Sequence, residues 1–238
     1  MAIAHLASLP LAEELRLQAL RPYQLLNTMQ DETFTELVRL SAKLFNVPIG
    51  IVAFVEEEEV SLGLNHGLEP GLDRVSRGET LCSVALLNEG TTVFENLHDH
   101  PCDLVSPMLV QRLRLGFYAG RTLRTAAGYP IGVLCVIGHK PRSFSEAEAG
   151  LLERLAAVVM SLLDLRLHLQ QQPTWNQRLW EAIYARIDSS VTRLETLAAL
   201  ASWEEEDGPT AQSYQDSARE ESLRIIAVLT EQIRALRA

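Results

Sequence analysis

Long apolar runs are missing from this chain. No stretch approaches the roughly 20 consecutive apolar residues that a bilayer-crossing helix requires, so no membrane partner is expected. The opening segment MAIAHLASLPLAEELRL carries acidic residues early and no basic region, unlike a secretory signal. Cysteine is scarce: Cys82, Cys102 and Cys135 are odd in number, widely spaced and form no CxxC. That argues against a disulfide framework and fits a reducing compartment, so a cytoplasmic location is expected. Positive charge is short too, with 21 Lys+Arg against 31 Asp+Glu and a net charge of −10. Nucleic-acid affinity comes largely from clustered Lys and Arg, and no basic stripe exists, so no nucleic-acid partner is expected. A Gly-rich phosphate loop and an Arg pair at a helix start are also lacking, which weighs against cyclic-nucleotide binding. Arg74 and Arg77 could line an opening, but loop arginines are usually solvated.

What is present suffices for a sizeable core: 238 residues, 47% of them hydrophobic. Leu11, Leu15, Leu20 and Leu25 follow broadly helical spacing, interrupted at Pro22. Asp31 is a candidate N-cap for a second helix with Phe34, Leu37, Val38, Leu40, Ser41 and Leu44 on its apolar face. IGIVAFV (49–55) and the stretch after Glu56–Glu59 read as two antiparallel strands. Residues 67–79 read as a loop, Ser83–Leu87 as a short helix and TTVFEN as a strand. Irregular chain over 97–107 precedes a helix through Met108–Leu113. GFYAGRTLRT and YPIGVLCVIG then read as two strands around a turn at Ala126–Gly128.

The strongest periodicity starts at Ser145, a candidate N-cap followed by Glu146 and Glu148. Leu151, Leu155, Val158, Leu162, Leu165 and Leu169 are spaced by four and three in alternation, an a/d seam, with Leu152, Val159 and Leu163 beside it. This spacing predicts a helix that packs one side on the sheet and offers the seam to a second copy in a homodimer. The plainer alternative is a helix wholly covering its own domain. Two further amphipathic helices, about 175–202 and 211–236, flank the breaker EEEDGP and form a hairpin. Two copies joining as a four-helix bundle would bury its apolar faces.

The order of these elements resembles a GAF domain over roughly residues 12–169. GETLCSVAL (78–86), Asp99, Pro107 and Val110, FYAGRTL (117–123) and GYPIGVLCVIGHKPRSFSEAE (128–148) carry the likeness. Thr122 stands where the family usually has Pro, and Glu56–Glu59 where many members have a basic or aromatic pair. The resemblance implies an α+β fold: a central antiparallel sheet of about six strands flanked by helices, then a C-terminal α-helical hairpin. The expected division is a GAF-like sensor domain over 1–169 and a dimerisation or docking hairpin over 170–238. It further implies a ligand pocket between the sheet and segments 78–113, with Cys82, Asp99, Cys102, Val110, Phe117 and Ala119 as its contacts. The hairpin resembles in layout the dimerisation hairpin of sensor histidine kinases, but the last histidine is His168, ahead of it. It therefore lacks the phosphoacceptor.

The residues that could carry chemistry each have a plainer alternative. Cys82 could be a reactive thiol or a pocket wall; the His that often follows a bilin-binding Cys is replaced by Ser83. Free Cys is equally a small core residue. His98, His100 and Cys102 form an HxHxC cluster that could hold zinc, although the spacing is not a usual one. No metal is assigned, and no cofactor is named. Free methionine sulfoxide reduction on this fold would need an attacking and a resolving thiol, which the three cysteines supply without that enzyme family's spacing. The expectation is a protein that is not an enzyme: a signalling sensor that binds a small ligand and relays it through a dimeric helical bundle. Its partner would be a kinase or response regulator. The alternatives are the thiol-dependent reductase and a scaffold whose pocket has closed.

Overall fold

The computed structural model describes residues 10–27, 32–170, 177–202 and 209–237. Asp31, the residues after Gln170 through Asn176 and most of EEEDGP lie outside the described residues. Helices α1 (Pro10–Asn27) and α2 (Glu32–Leu44) precede strands β1 (Ile49–Val55), β2 (Glu59–His66) and β3 (Arg74–Ser76). After a 3-10 turn at Arg77–Glu79 come α3 (Leu81–Leu86), β4 (Thr91–Phe94), α4 (Pro107–Leu113), β5 (Phe117–Arg124) and β6 (Pro130–Gly138). Three long helices follow, α5 (Glu146–Gln170), α6 (Gln177–Ser202) and α7 (Pro209–Arg237). Pro22 sits inside α1 without ending it.

The six strands form one antiparallel sheet in the order β3-β2-β1-β6-β5-β4. Both faces are covered, which explains why β1 is apolar at every position instead of alternating. Val52, Phe54, Phe117, Ala119, Leu134 and Val136 join one core with α1, α2, α5, α6 and α7. Ile51, Ala53, Tyr118, Val133, Cys135 and Ile137 join the other, under α3, α4 and the connecting segments. β3 lies within the segment expected to be a loop. Three residues at a sheet edge are too few to show a period of two.

Helix α5 begins at a reciprocal cap. The Ser145 amide donates to Glu148 Oε2 at 2.9 Å, and the Glu148 amide donates to Ser145 Oγ at 3.2 Å. Arg142, just upstream, lies 5.2 Å from the centre of the Phe117 ring, donates to the Phe45 carbonyl at 2.5 Å and pairs with Glu148. These contacts fix the angle at which α5 leaves the sheet.

The seam on α5 does not face a second copy. Leu151, Leu155, Val158, Leu162 and Leu165 are buried within their own chain, in one core with the sheet and with α6 and α7; the Leu169 side chain lies outside the described residues. The physical reason is that α6 and α7 fold back: α6 packs on α2 and α7 packs on α5 and α6. Trp180 of α6 meets Phe34 of α2 with ring centres 5.8 Å apart, and Arg39 donates to Glu195 at 2.5 Å. Tyr23 ties α1 to Asp164 of α5 at 2.6 Å. The hairpin thus supplies the cover that the seam was expected to find in a partner.

Candidate functional site

The site is built around α3. Thr80 caps this short helix, accepting from the Ser83 amide at 3.2 Å, and the Ser83 hydroxyl donates back to the Arg77 carbonyl. At the other end Thr122 of β5 donates to the carbonyls of Ala85 (2.9 Å) and Asn88 (3.2 Å). So anchored, α3 places Cys82 over the sheet with its Sγ 3.9 Å from that of Cys135 on β6 and 3.7 Å from the hydroxyl of Tyr118 on β5. All three residues are buried.

Gly120 makes room for this arrangement. It shares a sheet face with Tyr118, and a Cβ there would come within 2.4 Å of the Tyr118 hydroxyl. The tyrosine ring can therefore lie along the strand toward Cys82. Phe94 flanks it edge-on at 6.3 Å.

The thiols differ electrostatically. The Cys135 hydrogen bond lowers the Cys82 pKa; burial opposes this, and Tyr118 and Thr80 add to the lowering. Cys135 is pushed well above the usual thiol range by its hydrogen bond with Cys82 and by burial. Burial first, then the neighbouring sulfurs, pushes Tyr118 up as well. Cys82 is thus the sulfur best placed to carry negative charge, and thiolate is the nucleophilic form.

Beside Cys82 lies a cavity of only about 20 Å³, walled by Thr80, Leu81, Leu109, Leu113, Leu115 and Tyr118 among others. Such a volume takes about one water-sized guest. Pockets for nucleotides or drug-sized ligands run to roughly 300–1,000 Å³. The chain's own leucines fill the space.

Of the six expected ligand contacts, Cys82 alone lines this cavity. Phe117 and Ala119 face the opposite core, where Phe117 packs against Phe144. Strand alternation makes Tyr118, between them, the pocket-side residue. Asp99 is exposed in a turn, its carboxylate accepting from Asn96 at 2.8 Å. Cys102 and Val110 are half-buried against the pocket-side core without reaching the cavity. His98 and His100 are exposed, and among the described residues no three or more His, Cys, Asp or Glu side chains are grouped to hold a metal ion. Arg74 pairs with Glu56 and Glu59, and Arg77 with Glu13.

A family model described as the GAF domain matches residues 28–164. The chain belongs to the GAF domain family. A cyclic di-GMP phosphodiesterase of Pseudomonas aeruginosa is 29% identical over 138 residues, 58% of this chain and 23% of that protein. The chain therefore spans less than a quarter of the relative's length. Among solved structures, the GAF domain of an Acinetobacter phosphoenolpyruvate-protein phosphotransferase is similar at 20% identity and a TM-score of 0.48, covering 66% of this chain and 98% of that one. A free methionine-R-sulfoxide reductase from Neisseria meningitidis is similar at 19% identity and a TM-score of 0.46, covering 60% and 84%. The expectation that the chain is not an enzyme is corrected here. The Pseudomonas relative, similar over 138 residues, is named as a phosphodiesterase, so this likeness carries no exclusion of catalysis. Among the described residues, no helix is long and apolar enough to cross a membrane.

Proposed function

We propose that this chain is a signal-receiving GAF module that works with its pocket closed and passes its state to a protein partner through the helices on the other sheet face. The observation that carries this reading is the cavity of about 20 Å³ where the family fold would seat a ligand. The name of the Pseudomonas relative suggests the partner class: an enzyme that turns over a cyclic dinucleotide. Helices α6 and α7 form the docking element in this proposal. They hold no histidine to accept a phosphoryl group, and an open groove of about 440 Å³ between them is lined by Arg193, Thr196, Ser217 and Glu220.

Calorimetric titration with cyclic di-GMP, cyclic AMP, cyclic GMP and methionine sulfoxide tests the closed pocket. The expected result is no binding heat, whereas saturable one-to-one binding of any of them would overturn the reading. Grafting this chain, α6 and α7 included, into the Pseudomonas phosphodiesterase in place of the similar segment and following cyclic di-GMP hydrolysis tests the relay. Hydrolysis that persists at a changed rate is expected; hydrolysis insensitive to the graft would count against it.

One observation favours a second reading, thiol-dependent reduction of a small sulfoxide: Cys82 and Cys135 stand close enough to act as attacking and resolving thiols. Turnover of methionine sulfoxide with a dithiol reductant, lost in Cys82→Ser, would place it ahead of the first.

A further inference from the structure

We infer that Cys82 and Cys135 are a peroxide-responsive dithiol, oxidised by hydrogen peroxide to a disulfide that clamps α3 onto β6. The inference deepens the module reading by naming its input.

The geometry separates the roles of the two sulfurs. Cys82 forms part of the cavity wall, whereas Cys135 is fully buried behind it and does not line the cavity. A guest entering the cavity meets Cys82 first. The sulfurs are 3.9 Å apart, and a disulfide holds them at about 2.05 Å, so they must close by about 1.9 Å. The cavity also selects the oxidant. About 20 Å³ of apolar-walled space suits a small neutral molecule and excludes a bulky one such as oxidised glutathione.

The steps balance without a cofactor. Cys82 thiolate attacks one peroxide oxygen: the S–O bond forms, the O–O bond breaks, and the departing hydroxide takes up a proton as water. Sulfur is oxidised to sulfenic acid as the peroxide is reduced. Cys135 then attacks the sulfenic sulfur: the S–S bond forms, the S–O bond breaks, and hydroxide leaves with the Cys135 proton as a second water. Two thiols and one peroxide yield one disulfide and two waters. A dithiol reductant reverses the change by exchange. The clamp bears on Thr122, which holds the carbonyls of Ala85 and Asn88 and sits on the same strand as Tyr118.

The test uses the full chain treated with hydrogen peroxide or oxidised glutathione, then unfolded in urea, alkylated and mapped by mass spectrometry. Peroxide is expected to remove two hydrogens and leave Cys102 as the one alkylated thiol, with a Cys82–Cys135 cross-linked peptide; oxidised glutathione leaves all three thiols alkylatable. Cys135→Ser, and Cys135→Ala in case the first misfolds, should stop at a Cys82 sulfenic acid, which dimedone traps once the treated protein is unfolded in urea. A disulfide to Cys102, oxidation at Cys102 alone, or three free thiols after peroxide would each overturn the inference. Those results leave the relay untouched, because the graft experiment reads it in reduced protein. Conversely, a disulfide that forms while the graft fails removes the relay and keeps the dithiol.

Discussion

Glutamine in place of Glu13 should destabilise the chain more at neutral pH than in acid. Glu13 accepts from Arg16 Nε and Nη2 at 2.9 and 2.8 Å and from Arg77 at 2.6 Å. Arg16 is buried and also donates to the Val55 carbonyl at the end of β1 at 2.7 Å. Burial pushes the Glu13 carboxyl up, but hydrogen bonds and charge from Arg16 and Arg77 outweigh it and bring the pKa from 4.5 to about 2. A pKa lowered on folding gives stability that is complete above the unfolded value and is lost as pH falls toward the folded one. At about 1.4 kcal/mol per unit the shift corresponds to about 3 kcal/mol. A fifth of the side chain remains in water, so screening reduces this to about 2 kcal/mol. Glu13→Gln also leaves a buried guanidinium without its carboxylate, a loss of about 3 kcal/mol near neutral pH. Urea unfolding followed by circular dichroism, on both proteins near neutral pH and near pH 3, measures the gap. It should shrink by about 1–2 kcal/mol in acid. A gap that stays constant across that range would show that Glu13 carries no depressed pKa and that the network does not anchor α1.

Tyr118→Phe removes a hydrogen bond to Cys82, so the pH profile of Cys82 oxidation by hydrogen peroxide should move to higher pH; an unmoved profile would deny the hydroxyl its role. Gly120→Ala should give a similar shift by displacing the Tyr118 hydroxyl, with far-UV circular dichroism unchanged. Leu162→Ala removes a fully buried side chain and should destabilise the chain by about 3 kcal/mol. Its urea midpoint should not depend on protein concentration, since dependence would restore an intersubunit seam. Thr122→Val frees the carbonyls at the end of α3 and should cost about 1 kcal/mol while speeding amide exchange in α3.

Much of the fold was legible because its periods are long. β1 begins and ends where its apolar run does, and α5 starts at the Ser145–Glu148 cap. The site was less legible because β5 opens with residues buried on both faces, so its sequence does not set which of Phe117 and Tyr118 faces the pocket. Register decides that: Tyr118 stands opposite Ile137, and Gly120 opposite Cys135. The glycine two residues after a tyrosine was the available signal for a ring lying along its strand. The α5 seam misled for a different reason. A row spaced by four and three fits any apolar partner, and α6 and α7, later in the same chain, meet it first.

A closed pocket changes what can be sensed, not whether sensing is possible. A ligand shifts a conformational equilibrium only through unequal affinity for two states, and a covalent bond between two buried sulfurs is an extreme case of such inequality. β6 is suited to transmit it, because Cys135 faces α3 while its neighbours Leu134 and Val136 face the core shared with α5, α6 and α7. A displacement of β6 toward Cys82 by even a fraction of an ångström must be absorbed by that helical layer, since cores packed at crystal-like density have little slack. The helices then need no cavity between them to receive the change. They need only an outer face for a partner to read, and in the relay proposed above that face belongs to α6 and α7.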